Sequence, residues 1–220
     1  MKARTPAPAA VARPRVRRSP AAMAQLKLEL LDRAWSIYSA EGAGALSMRR
    51  LAQDAGLSTM ALYSYFPSKQ ALLEGLWLEV FEALLAELLA ASTGRRAPLK
   101  VMEAHLRGFL GFWEARPDQF RMIYMSTHQS ADGEAVPMKD QPVYRKLIQL
   151  ERERVAACAG DRTEPSESLL AEVAALALIK VVGYLLLVLG MPRYPLPERT
   201  QLRERVVADA LQGIRAAWTG

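Results

Sequence analysis

Between Ser47 and Lys69 the chain reads Ser-Met-Arg-Arg-Leu-Ala-Gln-Asp-Ala-Gly-Leu-Ser-Thr-Met-Ala-Leu-Tyr-Ser-Tyr-Phe-Pro-Ser-Lys, and no other stretch restricts the fold as tightly. Leu51, Ala52, Ala55, Leu57, Leu62 and Phe66 have the spacing of two short helices whose apolar faces meet. Ala52 is small where those helices must approach most closely. Gly56 falls where the first helix ends and the backbone needs a left-handed residue, which glycine supplies without a Cβ penalty. Ser47 and Ser58 offer N-cap hydroxyls to the two helices in turn. Helices joined this way form a helix-turn-helix, whose second member lies in the DNA major groove. The expectation is a protein that reads DNA.

Charge agrees only in one place. The formal charge is +6, but residues 1–20 hold six basic residues and no acid, so the other 200 balance at 23 basic against 23 acidic. The basic residues of this Ala/Pro-rich tail are Lys2, Arg4, Arg13, Arg15, Arg17 and Arg18, a composition that predicts a disordered extension. Three readings compete for it: an arm on DNA phosphates or in the minor groove, an inert extension upstream of a start at Met23, and an Arg-rich targeting peptide. It has no continuous apolar run of the kind a secretory signal carries. Cys158 is the single cysteine, which forbids an intrachain disulfide and agrees with a reducing cytoplasm. It reads as core packing rather than as a nucleophile.

With hydrophobic residues at 51%, the rest of the chain can bury a large core. Helical periodicity runs through 21–41, through the helix-turn-helix to Phe66, and from Ser68 to about Ala91. It resumes over Leu99–Ala115, in a short helix from Pro117, over Pro142–Ala159, from Pro165 to Leu189, and over 198–217. Ser126–Pro137 reads as a loop, and the run Glu151-Arg-Glu-Arg154 as a mostly solvated face. Strand-like alternation is absent, so the expected fold is all-α with about nine helices. Residues 169–189 have the length and apolarity of a membrane span, but Glu172 and Lys180 lie inside the run. A helix buried against the core on one side and a partner subunit on the other fits better. The expected interface covers residues 173–189 and 202–214, with Leu186 in it.

From Met23 to about Ala90 the chain resembles the DNA-binding region of the TetR (tetracycline repressor) family. The resemblance rests on Ala34-Trp-Ser-Ile-Tyr38, Ser47-Met-Arg49, Leu51-Ala-Gln-Asp-Ala-Gly-Leu-Ser58 and Leu62-Tyr-Ser-Tyr-Phe-Pro-Ser-Lys69. Pro117-Asp-Gln-Phe-Arg-Met-Ile-Tyr124 is similar to segments in one group of the family's C-terminal domains. It implies a homodimeric transcriptional regulator, usually a repressor, that binds palindromic double-stranded operator DNA and responds to a small molecule. The implied division is a basic extension at 1–20, a three-helix DNA-binding domain at 21–68, and a larger helical domain at 69–220 for ligand binding and dimerisation. By this resemblance Arg49 corresponds to a base-contacting position, and Thr59, Met60 and Ala61 open the recognition helix. Tyr63, Tyr65 and Lys69 correspond to phosphate contacts, with Ser47, Arg50, Ser58 and Ser64 around them. The position of Tyr65 is often His in the family, so the operator sequence does not follow from the resemblance. The residue chemistry suits the roles: Arg bonds guanine bidentately, and Thr or Met methyls pack on thymine. Phe66 reads as core, Tyr63 as surface.

No enzyme constellation is present. His105 and His128 are the only histidines, no nucleophile elbow, phosphate loop or HExxH motif occurs, and no clustered ligand set suggests a metal or other cofactor. His105 reads as a core or pocket histidine, or as a ligand contact. Met102, His105, Phe109, Phe112 and Trp113 supply aromatic and thioether surface from one helix. Met122, Met125, Tyr144 and Tyr184 add more from others. As a set they suit an apolar or aromatic effector rather than a polyanion. The expected protein is therefore cytoplasmic, neither enzyme nor membrane protein.

Overall fold

Serine hydroxyls start five of the helices. Ser19, Ser47, Ser58, Ser68 and Ser166 each accept a hydrogen bond from the amide three residues on, at 3.0–3.2 Å. Such caps satisfy amides that the helix leaves free, each worth about 1 kcal/mol. The computed structural model describes residues 19–42, 44–125, 140–160, 165–191 and 193–218. The basic tail, the loop expected at Ser126–Pro137 and His128 lie outside them.

The helices are α1 (Pro20–Glu41), α2 (Met48–Asp54), α3 (Thr59–Tyr63), α4 (Lys69–Ser92) and α5 (Pro98–Glu114). They continue as α6 (Pro117–Phe120), α7 (Pro142–Ala157), α8 (Glu167–Leu185) and α9 (Arg199–Ala216). Wider π turns extend α6 through Arg121–Met125 and α8 through Leu186–Gly190. No strand occurs among the described residues. The fold is all-α, with a helix-turn-helix near its start. Gly56 turns from α2 toward α3 at φ 64°, the left-handed conformation read from the sequence.

Two apolar cores share α4. Its first half gives Leu72 and Leu76 to a core built with Leu30, Ala34, Leu51, Leu62 and Phe66. Its second half gives Trp77, Phe81, Leu84 and Leu88 to a larger core with α5, α7, α8 and α9. Met122 crosses between them: it belongs to the first core although its neighbours Phe120 and Ile123 pack in the second. The two π turns touch, with Arg121 donating to the Leu189 carbonyl at 3.0 Å. Gly190 leaves the space there that the Met125 thioether occupies.

Residues Glu167–Gly190 are long and apolar enough to cross a membrane, yet they pack on α5, α7 and α9. Lys180, inside that run, pairs with Asp209 of α9 at 2.6 Å. The run Glu151–Arg154 departs from expectation. Arg154 is buried, donating to the Leu88 carbonyl, the Ser92 hydroxyl and His105 Nδ1. Glu151 faces a cavity. Leu147, Glu151, Arg154 and Val155 lie four, three and one residues apart, so they share one helical face, and that face turns inward.

Candidate nucleic-acid interface and effector cavity

Helix α3 is held from below by Leu62, fully buried, and by Phe66 just beyond its end. Its upper side is bare. Thr59 is exposed, Met60 keeps 81% of its surface and Tyr63 keeps 43%. Ala61 is half-buried, and Ser64 turns its hydroxyl back onto the Ala61 carbonyl at 2.6 Å. Ser47 and Ser58 are committed to their caps. Tyr65 is half-buried against the first core, unlike Tyr63.

The two adjacent arginines have different surroundings. Arg49 is exposed and makes no ion pair among the described residues. Arg50 pairs with Glu41 at 2.7 Å and with Asp54 at 3.4 Å, tying α2 to the end of α1. A guanidinium already engaged by two carboxylates is a weaker candidate for a base edge than its free neighbour. Lys69 is exposed in the first turn of α4, where unbonded amides and the helix dipole draw anions. Sequence reading missed Lys27, whose ammonium lies 5.4 Å from the centre of the Phe66 ring. It adds a cation beside Phe66, just past the recognition helix, and only the approach of α1 to that ring reveals it.

The cavity lies between α4, α5, the π turn after α6, α7 and α8, and holds about 60 Å³. Of the nine residues expected around an effector, His105, Phe109 and Tyr144 line it. Met102, Phe112 and Trp113 are wholly buried in close-packed surroundings beside it. Met122 sits in the other core, Met125 is 45% exposed, and Tyr184 donates to Glu114 at 2.9 Å. The sequence reading had not placed Tyr124 and Glu151, the two further polar residues on the wall. Tyr124 keeps 36% of its surface, yet burial, then Tyr144 and Glu151, hold its hydroxyl protonated.

Burial, and then the Arg154 charge, push the His105 imidazole down to about 3. Its Nδ1 accepts from Arg154, which leaves a neutral ring with one N–H. Burial raises the Glu151 carboxyl to about 7, against a small opposing pull from Arg152. An acid whose pKa is higher folded than unfolded loses stability as pH rises from about 4.5, and the loss is complete above about 7. Glu151→Gln is therefore expected to stabilise the protein by about 1–3 kcal/mol at pH 8. At pH 4.5 the gain should nearly vanish. Thermal melting of both proteins across that range checks it, and a gain independent of pH would show that the carboxyl is not desolvated.

Residues 30–76 match the profile of bacterial regulatory proteins, tetR family. The chain is 36% identical over 87 residues to the nucleoid occlusion factor SlmA of Vibrio vulnificus, and 32% to that of Aliivibrio fischeri. These matches cover 40% of this chain and 44% of each relative, so the chain spans less than half the length of the curated relatives it matches. The solved protein SCO4313 superposes with a TM-score of 0.72 at 20% identity, over 89% of this chain and all of that one. A protein of unknown function from Rhodococcus sp. RHA1 gives 0.66 at 25% identity, over 87% of this chain and 94% of its own. A TetR/AcrR regulator from Thermobifida fusca gives 0.60 at 17%, over 86% and 98%. Over most of its length the chain thus shares a helical plan with these structures at 17–25% identity.

Proposed function

We propose, from the match of residues 30–76 to the profile of bacterial regulatory proteins of the tetR family, a cytoplasmic transcriptional repressor that grips a palindromic operator as a homodimer. On this reading residues 21–68 read DNA, 69–220 hold effector and partner subunit, and 1–20 add positive charge. A small apolar or aromatic effector entering the C-terminal half releases the DNA. The carrying observation is the bare face of α3, where Thr59, Met60 and Tyr63 stand on a capped helix with Arg49 and Lys69 also uncovered. Large apolar and aromatic side chains left in solvent on a rigid element mark a binding surface.

Site selection from randomised duplexes tests the reading. The expected product is a pseudo-palindrome with half-sites about 34–36 Å apart, since two-fold proteins read two-fold sites. Enrichment of no sequence would leave only non-specific phosphate binding. On the selected site, Arg49→Ala should cost about 1–3 kcal/mol and leave random-sequence binding nearly unchanged. Arg50→Ala should cost less, because its charge is already spent on Glu41 and Asp54. Equal losses on selected and random DNA would make Arg49 a phosphate contact.

Support for the coupling comes from continuity. Phe81, Leu84 and Leu88 line the cavity, while Leu72 and Leu76 of the same helix build the DNA-side core. Tyr124 lines the cavity two residues from Met122, which sits in that core. Release requires the effector to bind the DNA-incompetent state more tightly, so operator DNA must weaken effector binding by the same factor.

A further inference from the structure

The cavity wall carries one acid, and the only charge that pulls on it, Arg152, is too far to pair with it. Among the described residues the Glu151 carboxyl makes no hydrogen bond and no ion pair. Glu151 is half-buried, and a carboxylate partly withdrawn from water without a partner carries a cost. Around it stand the aromatic rings of Phe81, Phe109, Tyr124 and Tyr144. Aromatic faces attract cations, most strongly where water is excluded. The rest of the lining, His105 apart, is Leu, Ile and Val.

The other titratable groups near the carboxyl do not substitute for a ligand. His105, from α5, is neutral and offers one N–H. Arg154 is turned away, its donors taken by Leu88, Ser92 and His105. Arg152, on the same helix, lies 3.6 Å from Glu167 of α8. Burial holds the Tyr124 hydroxyl protonated, while α4 and α8 present only apolar groups to the cavity.

We propose that this cavity holds the ammonium head of a small organic amine, with Glu151 as its counter-ion and the rings of Phe81, Phe109, Tyr124 and Tyr144 as its walls. Size agrees with a head group: about 60 Å³ is a fraction of the roughly 300 Å³ or more that drug-sized ligands fill. The body of the ligand leaves past Tyr124, Tyr144 and Ile148, all partly exposed at the rim. An anion would meet Glu151, while Arg154 is engaged with Leu88, Ser92 and His105. The inference rests on the reading of the C-terminal half as a small-molecule sensor, and narrows its ligand to organic cations.

Calorimetric titration with benzylammonium, benzyl alcohol and benzoate tests it on the full chain and on Glu151→Gln. Wild type should bind benzylammonium at least tenfold more tightly than benzyl alcohol at pH 8, and benzoate not at all. Because the carboxyl titrates near 7, benzylammonium affinity should fall roughly tenfold between pH 8 and pH 6, while that of benzyl alcohol stays level. Glu151→Gln, its fold checked by thermal melting, should lose both the preference and the pH dependence. Equal binding of amine and alcohol, an unchanged preference in the variant, or no benzylammonium binding at 10 mM would each overturn the proposal. Operator release is measured separately by fluorescence anisotropy. Amine binding without release would defeat the effector reading and leave the cation site standing; release by benzyl alcohol alone would do the reverse.

Discussion

Ile179→Arg should convert the protein to monomers and lower affinity for a two-half-site operator at least a hundredfold. Ile179 keeps 65% of its surface exposed on α8, and Leu176, one turn earlier, keeps 51%. Ala175 is exposed beside them, and Val182 and Leu186 continue the same stripe, half-buried. The opposite side of α8 carries Val173, Ala177, Val181 and Leu185 in the core. A helix apolar on both sides has one face committed to the chain itself and one left over, which in the proposed homodimer a second copy would complete by two-fold symmetry. Ile179 is a better probe than the half-buried Leu186, because an exposed site changes folding stability by only about 0.5 kcal/mol. The arginine would meet its symmetry mate across the axis. A monomer keeps one recognition helix on one half-site, so the effective concentration that the partner supplied, worth roughly 10²–10⁴, is lost. Sedimentation equilibrium reads the assembly, and a single half-site duplex supplies the control, since the variant should bind it as a wild-type subunit does. A variant that still sediments as a dimer would put the interface on another face.

The helix-turn-helix was legible because its determinants are local. Ser47 and Ser58 cap helices three residues ahead, Gly56 takes the single left-handed turn, and Leu51, Leu62 and Phe66 meet within a stretch of 16 residues. The cavity was harder to read. Periodicity says that Phe109, Phe112 and Trp113 face inward, but which inward neighbour each one meets depends on how α5 crosses α4, α7 and α8. That crossing brings Phe109 to the cavity and sends Phe112 and Trp113 into packing behind it. Met122 shows the same limit: its stripe is apolar, yet a π turn rotates it into the other core. Glu151 and Arg154 had a usable signal that charge obscured. They fall on the face of Leu147 and Val155, and the helical period alone places all four together.

Trp113→Ala should cost about 3–5 kcal/mol of stability, the range for emptying a large aromatic site in a core. The ring is fully buried, with Phe112, Tyr124, Phe120 and Phe109 edge-on at 5.0, 5.4, 5.7 and 6.2 Å between centres. It does not line the cavity. Its indole N–H is buried with no acceptor among the described residues, a cost that folding already carries. Trp113→Phe removes that donor while keeping an aromatic edge, so its loss should be smaller, about 1–2 kcal/mol. Helix α6 has four residues and no side-chain cap, so Phe120 and Tyr124 depend on Trp113 for their positions. Loosening them frees the π turn, and with it Met122 in the core beneath the recognition helix. The alanine variant should therefore bind operator more weakly even without effector, in step with its lower midpoint of chemical denaturation. An effector contact would behave differently. If Trp113→Ala melts as wild type does, binds operator normally and fails only to respond to ligand, the indole belongs to the effector site, and the link through Met122 carries no part of the signal.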